Sequence, residues 1–133
     1  MPESTRYLID THCWLWWHID PDRLGRRTVK LIEDKESIIF FSVVSAWEIV
    51  IKYNLKKIKL PLPPSDYIDK RLKISFMDVM HVSLAHVLQV EKLPDHHKDP
   101  FDRLLIAQAM TEKLSVITAD HQFQQYKIKT IND

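Results

Sequence analysis

Glycine is almost absent: Gly25 stands alone in a chain of 133 residues. Tight primed hairpin turns need positive φ and so favour glycine. A sheet built from hairpins is therefore disfavoured, and helices with longer crossovers are expected. The same scarcity removes every glycine-rich phosphate loop, both the P-loop and the dinucleotide fingerprint. Cysteine is equally scarce. The single Cys13 excludes an internal disulfide and a cysteine-based zinc cluster, and it fits a reducing compartment. Lying within HCWLWW, it reads as packing rather than as a nucleophile. Long apolar runs are missing too. The stretch 38–47 is interrupted by Ser42 and Ser45 and falls far short of the ~20 residues of a membrane span. The N-terminus reaches Asp10 without the apolar segment of a signal peptide. A cytoplasmic protein with no membrane association is expected.

Net charge is +1, so no global field points to nucleic acid. Locally the balance differs. Between residues 52 and 73, Lys52, Lys56, Lys57, Lys59, Lys70, Arg71 and Lys73 outweigh Asp66 and Asp69 by five charges. Arg23, Arg26, Arg27 and Lys30 form a second basic run. Each run reads equally as a track for a phosphate backbone or as a solvated helix face. Hydrophobic residues make up 45% and charged residues 28%, a composition that suits a soluble globular chain. The length suits one domain, 1–133, with a real core. Within it, 1–5 reads as a loose tail and about 53–73 as a basic helical arm.

Apolar patterning predicts strands at 7–9, 38–41, 74–77, 115–118 and 128–131. Between them come helices at 11–19 (capped by Thr11), 23–34, from Ser42 or Ser45 to 55, 65–72 (capped by Ser65), 79–90 and 99–112. Short, continuously apolar strands alternating with helices predict an α/β fold with a parallel sheet covered on both faces. In such sheets ligands bind beyond the carboxyl ends of the strands.

Asp99-Pro100 reads as a helix cap followed by proline at the first helical position. Asp102 then falls in the first turn of a helix with an apolar body, either as a capping-box partner or as a carboxylate offered at a site. Asp10 and Asp120 stand just past strand ends. Glu48 lies beside the apolar stripe of Trp47, Val50 and Ile51, where it could simply pair with Lys52 at i+4. Jointly these placements put four carboxylates at one edge of one sheet. At 4 Å and an effective dielectric of 20, each like-charged pair costs roughly 4 kcal/mol, which protonation or a divalent cation must relieve. Oxygen donors favour Mg²⁺ or Mn²⁺, and such a site can activate water for phosphodiester hydrolysis. No zinc spacing is present among the histidines. His96 and His97 sit at the solvent edge of this region.

YLIDTH, SAWEIVIK, DPFDRLLIAQA and ITAD, in this order and spacing, resemble the PIN-domain nucleases, and among them the VapC-type toxins of toxin–antitoxin pairs. The resemblance spans about residues 6–131. It implies a three-layer α/β/α sandwich with a central, mainly parallel sheet. It also implies Mg²⁺- or Mn²⁺-dependent cleavage of RNA, a homodimer, and a small antitoxin protein whose C-terminal segment lies across the site. The acids carried over are Asp10, Glu48, Asp102 and Asp120: Asp10 and Asp102 as principal metal ligands, Asp120 completing or orienting the site, and Glu48 as ligand or general base. Thr11 and Thr118 are expected to support ligands or water. Asp99 is expected to cap rather than ligate, and Arg103 to pair with a site carboxylate or a phosphate. One departure stands out: relatives often carry Gly-Lys-Leu where this chain has Lys56-Lys57-Ile58.

The rival reading is a PIN-like module that binds RNA or protein without cutting; the presence of all four acids argues against it. A phosphoacceptor receiver domain, which has a similar size, fits poorly because Asp10 is followed by Thr11 and Phe41 runs into Ser42.

Overall fold

The strand patterns resolve into a single parallel sheet. The computed structural model describes residues 5–131; the expected tail, apart from Thr5, lies outside them. The chain runs β1 (Arg6–Ile9), α1 (Thr11–Ile19), α2 (Arg26–Glu33), β2 (Ile38–Ser42), α3 (Val43–Asn54), α4 (Pro64–Ser75), β3 (Asp78–Met80), α5 (Leu84–Glu91), α6 (Pro100–Glu112), β4 (Ser115–Ile117) and β5 (Thr130–Ile131). Short 3-10 turns occur at Pro21–Arg23 and His121–Gln125. The strand order is β3-β2-β1-β4-β5, and every pairing is parallel. No described helix is long and apolar enough to cross a membrane.

Alternation along the strands builds two cores. Leu8 and Val116 face one side, where they pack with Leu105, Ile106, Ala109 and Phe123. Ile9, Phe41 and Ile117 face the other, with Trp14, Ile49, Tyr67 and Ile68. Helices therefore cover both faces, as the continuous apolar strands require, and the result is an α/β/α sandwich. Cys13 is buried in the second core. Tyr67 and Ile68 dock α4 into that same core, so the basic 53–73 segment is anchored along part of its length.

Several boundaries differ from the sequence expectations. The α1 cap is Asp10, not Thr11: its Oδ1 accepts from the Cys13 amide at 2.8 Å. Thr11 instead donates its hydroxyl to Ser45 Oγ at 2.8 Å, tying α1 to α3. The second helix begins at Arg26, because Pro21–Arg23 close a 3-10 turn first. Ser65 caps nothing; α4 begins at Pro64 and runs on to Ser75. Phe76 then adopts a left-handed conformation (φ 58°, ψ 26°) that ends the helix. The third strand is thereby pushed from 74–77 to Asp78–Met80, in register with Phe40–Ser42. With Val79 in that strand, α5 starts only at Leu84, behind a capping box of Ser83 and His86. The last strand shrinks to Thr130–Ile131, the residues in register with Val116 and Ile117.

With so little glycine, three non-glycine residues among those described carry positive φ: Lys56 (60°), Phe76 (58°) and Lys113 (59°). Lys56 is where the family resemblance leads one to expect glycine, and a φ of 60° is the conformation in which glycine is favoured.

Candidate metal centre

The central pair β1 and β4 is where the sheet order diverges, β1 leading outward to β2 and β4 to β5. That divergence leaves a crevice beyond the strands' carboxyl ends. Asp10 follows β1 directly, and its amide donates to Ile117 O of β4 at 2.9 Å. Asp120 follows β4. Glu48 lies in the second turn of α3, which leaves β2 without a loop. Asp102 enters from the opposite chain direction, in the first turn of α6. Four separate segments therefore meet at one edge.

Each acid is fixed by a local bond. Asp10 serves as the α1 cap. It is 4% exposed, and burial raises its carboxyl above the ordinary range despite bonds from Thr118 and Cys13. Glu48 is 1% exposed; one oxygen pairs with Lys52, while Oε1 is buried with no hydrogen-bond partner. The expected i,i+4 pair is thus present, and it leaves the second oxygen of Glu48 uncommitted. Asp120 Oδ1 caps the following 3-10 turn by accepting from Gln122 N at 2.9 Å. Its own amide donates to Thr118 Oγ1 at 3.0 Å, so Thr118 touches both Asp10 and Asp120.

Asp99 caps α6, its Oδ1 accepting from the amides of Phe101 (2.8 Å) and Asp102 (3.1 Å). A capping box back from Asp102 is absent, because the Asp99 amide is already given to His97 Nδ1 at 3.2 Å. Asp102 is therefore free to turn into the crevice. Its carboxyl is pushed up to about 8, first by burial and then by the charges of Asp99, Glu48, Asp10 and Asp120. The electrostatic coupling of Asp102 to all three of the other candidate acids is the energetic signature of their convergence.

The residue that sequence reasoning left at the margin is His97. Its Nε2 lies 2.9 Å from Asp102 Oδ2 and 3.3 Å from Asp120 Oδ2. Because Nδ1 accepts the Asp99 amide, the proton of the neutral ring sits on Nε2 and donates to the two carboxylates. The His97 ring nitrogen and the two carboxylate oxygens lie within 4.8 Å of one another. The loop is held in place by the His97 amide, which donates to Tyr126 Oη at 2.8 Å, and by Arg103. The Arg103 guanidinium donates to the carbonyls of Pro94 (3.0 Å), His97 (3.1 Å) and Val90 (3.3 Å). Its nearest acid is Asp95 at 4.0 Å. Arg103 thus folds the loop that carries His97 and pairs with none of the four site acids. His96 stands apart, edge-on to Tyr126. The signal for His97 in the sequence was only its place two residues before the DPFD start.

The donor set fits a hard divalent cation. Several carboxylates share one crevice, one oxygen of Glu48 is buried without a partner, and burial and crowding push the Asp102 carboxyl up. A cation of charge two removes all three costs together. The residues that could hold it are Asp10, Asp102, Asp120 and Glu48.

An α/β/α sandwich with acids gathered at the switch point of a parallel sheet defines the class. The chain belongs to the PIN-domain family, whose family model matches residues 7–129. Among curated proteins it is similar to ribonuclease VapC16 of Mycobacterium tuberculosis, 36% identical over 62 residues, which is 44% of each chain. It is also similar to ribonuclease VapC22 of the same organism, 22% identical over 124 residues, covering 92% of this chain and 93% of that one. Among solved structures, VapBC2 from Rickettsia felis, bound to a DNA fragment from its promoter, shares the fold at TM-score 0.70 and 16% identity, over 96% of this chain and 98% of that chain.

Proposed function

We propose that this chain is a Mg²⁺- or Mn²⁺-dependent endoribonuclease, the toxin of a toxin–antitoxin pair. The observation that carries the reading is the gathering of acids at the sheet's switch point: Asp102 and Asp120 have ligand atoms within 4.8 Å of each other and of His97, and Asp10 and Asp120 line one cavity. The PIN family match and the ribonuclease names of the curated relatives support the same chemistry. In this reading Asp10, Asp102 and Asp120 hold the cation. The partnerless Oε1 of Glu48 either completes its shell or takes a proton from the attacking water. The cation would acidify that water and offset the charge that builds on the phosphate. Thr118 fixes the directions of Asp10 and Asp120, and His97 those of Asp102 and Asp120.

A small antitoxin is the proposed partner, because a basic side chain among the acids supplies the charge that the cation otherwise gives. Homodimerisation is proposed as well. The outer face of α5 exposes Leu84, Val87 and Leu88, an apolar surface suited to an interface. Cytoplasmic residence follows from the same reading.

The test is cleavage of a cellular RNA pool by purified protein freed of co-purifying antitoxin. It is run with Mg²⁺ or Mn²⁺, with EDTA, and with Asp10→Asn beside the parent. Cutting should require the metal and disappear in the variant, while the variant's circular dichroism stays that of the parent. A folded, metal-loaded parent that leaves RNA intact would refute the nuclease and favour a binding module.

A further inference from the structure

Helix α1 leaves the acidic centre carrying two rings on one face. His12 and Trp16 are four residues apart, and their centroids lie 6.1 Å apart. Trp16 is half-buried and His12 exposed. Together with Asp10, Ala119 and Asp120 they line a cavity of about 260 Å³. The cavity therefore opens onto the acids themselves and is walled by aromatic surface. The Arg23 guanidinium lies 4.4 Å from the Trp16 ring centroid, over its plane. That contact fixes the indole and leaves a cation beside it.

A second cavity, about 290 Å³, begins on the other side of His12 and is lined by Thr11, Lys52 and Lys57 among others. His12 belongs to both. Through His12 the two cavities join Lys57, the acidic centre, and an aromatic wall backed by an arginine; Lys52 is already paired with Glu48. Bare acids repel a phosphate backbone, so a bound strand needs cations close by. Lys57 and Arg23 supply them. Nothing in the acid chemistry itself calls for an indole beside the acids; a nucleobase does. Aromatic side chains stack bases that have been released from a helix, and paired bases present no free face.

We propose that Trp16, held by Arg23, is a stacking shelf for the unpaired nucleobase next to the scissile phosphate. The proposal rests on the nuclease reading and adds a base subsite to it. The ring is ordered before the base arrives, so stacking costs little side-chain entropy. The shelf serves any base, since every base has a π-face. It selects unpaired over paired nucleotides at the cut site.

The test uses an RNA oligonucleotide with a mapped cut site, and the same oligonucleotide lacking the base on one or the other side of the cut. Parent, Trp16→Ala, Trp16→Phe and Arg23→Gln are compared, with Mn²⁺ binding and thermal melting as controls. Trp16→Ala should raise KM roughly 5- to 150-fold, the equivalent of one stacked base at about 1–3 kcal/mol, with little change in kcat. Trp16→Phe should recover most of the loss. Removing the base on the shelf side should cost the parent the same factor and cost Trp16→Ala nothing further. Unchanged KM in Trp16→Ala, or base removal and substitution multiplying as independent effects, would overturn the shelf and leave the nuclease standing. So would a Trp16→Ala protein that cuts normally and has lost only antitoxin binding. A metal-loaded parent that neither binds nor cuts RNA would overturn both readings. Should Trp16→Ala fail to fold, the base-removal arm on the parent and on Trp16→Phe decides alone.

Discussion

Replacing Asp102 with asparagine should make the metal-free protein more stable, most of all above neutral pH. The side chain is isosteric, and its amide oxygen can still accept the Nε2 proton of His97. What the change removes is a carboxylate among four others. Asp102 holds its proton up to about 8, against an ordinary 3.8. Its folded value lies above its unfolded one, so the folded chain binds the proton more tightly. The associated stability is complete below about pH 4 and is lost as pH rises towards 8. At about 1.4 kcal/mol per pH unit, the full gap corresponds to roughly 6 kcal/mol. Protons are shared within such a cluster, so neighbours absorb part of it, and the gain from Asp102→Asn at pH 8 is about 2–3 kcal/mol. For a chain of this size that is about 10 °C in melting temperature. The assay is a thermal melt in EDTA at pH 5, 6.5 and 8. The two proteins should nearly coincide at pH 5 and separate at pH 8, with the variant higher. Adding Mn²⁺ at pH 8 should raise the parent and leave the variant almost unmoved. A variant melting at or below the parent at pH 8, or two pH profiles running parallel, would refute the crowded-carboxylate account.

Three further outcomes follow from other parts of the structure. Lys56→Gly should stabilise by about 0.5–1 kcal/mol in urea denaturation, because φ is 60° there and a Cβ is disfavoured in that region. His97→Ala should weaken Mn²⁺ binding about 10- to 100-fold by electron paramagnetic resonance titration, as expected for a group that orients ligand carboxylates; unchanged affinity would remove His97 from the site. Gln108, fully buried, accepts from Ser42 Oγ at 2.6 Å and donates to His81 O at 3.3 Å. Gln108→Leu should cost about 2–3 kcal/mol, because it strands the buried Ser42 hydroxyl; a neutral urea midpoint would contradict this.

Asp10, Asp102 and Asp120 stood out as candidates because each sits at a position that needs only local pattern, the end of an apolar strand or the start of a helix opened by Asp-Pro; Glu48 was marked only by lying beside the apolar stripe of its helix. Asp99-Pro100 placed α6 closely, and the parallel sheet followed from strands apolar on both faces. Two kinds of feature were not legible. The first is the stop of α4. A helix end without glycine carries no local mark, and Phe76 takes the left-handed turn only because Asp78–Met80 must reach the edge of β2. The second is His97. Its ring enters the site because Arg103 gathers the carbonyls of Val90, Pro94 and His97 around one guanidinium, a non-local event in which an arginine expected near phosphate becomes a scaffold for a loop. Asp10 carries a double use that no local pattern marks: one carboxylate both caps α1 and faces the crevice.

That double use recurs and gives the site its rigidity. Asp10 commits Oδ1 to the Cys13 amide, Asp120 commits Oδ1 to the Gln122 amide, Glu48 gives one oxygen to Lys52, and Asp102 gives Oδ2 to His97. A carboxylate with one oxygen bonded to the scaffold has little freedom in where it sends the other. Helix caps and ion pairs are cheap local devices, and here they aim charges that repel one another. The folded state therefore holds these acids close at a cost that only a cation, a proton or a basic side chain can lower. On the proposed reading, the cation that would serve the chemistry and the antitoxin side chain that would silence it relieve the same strain. On this account the two compete for one charge vacancy, and excess Mn²⁺ should weaken any antitoxin whose basic residue enters the crevice.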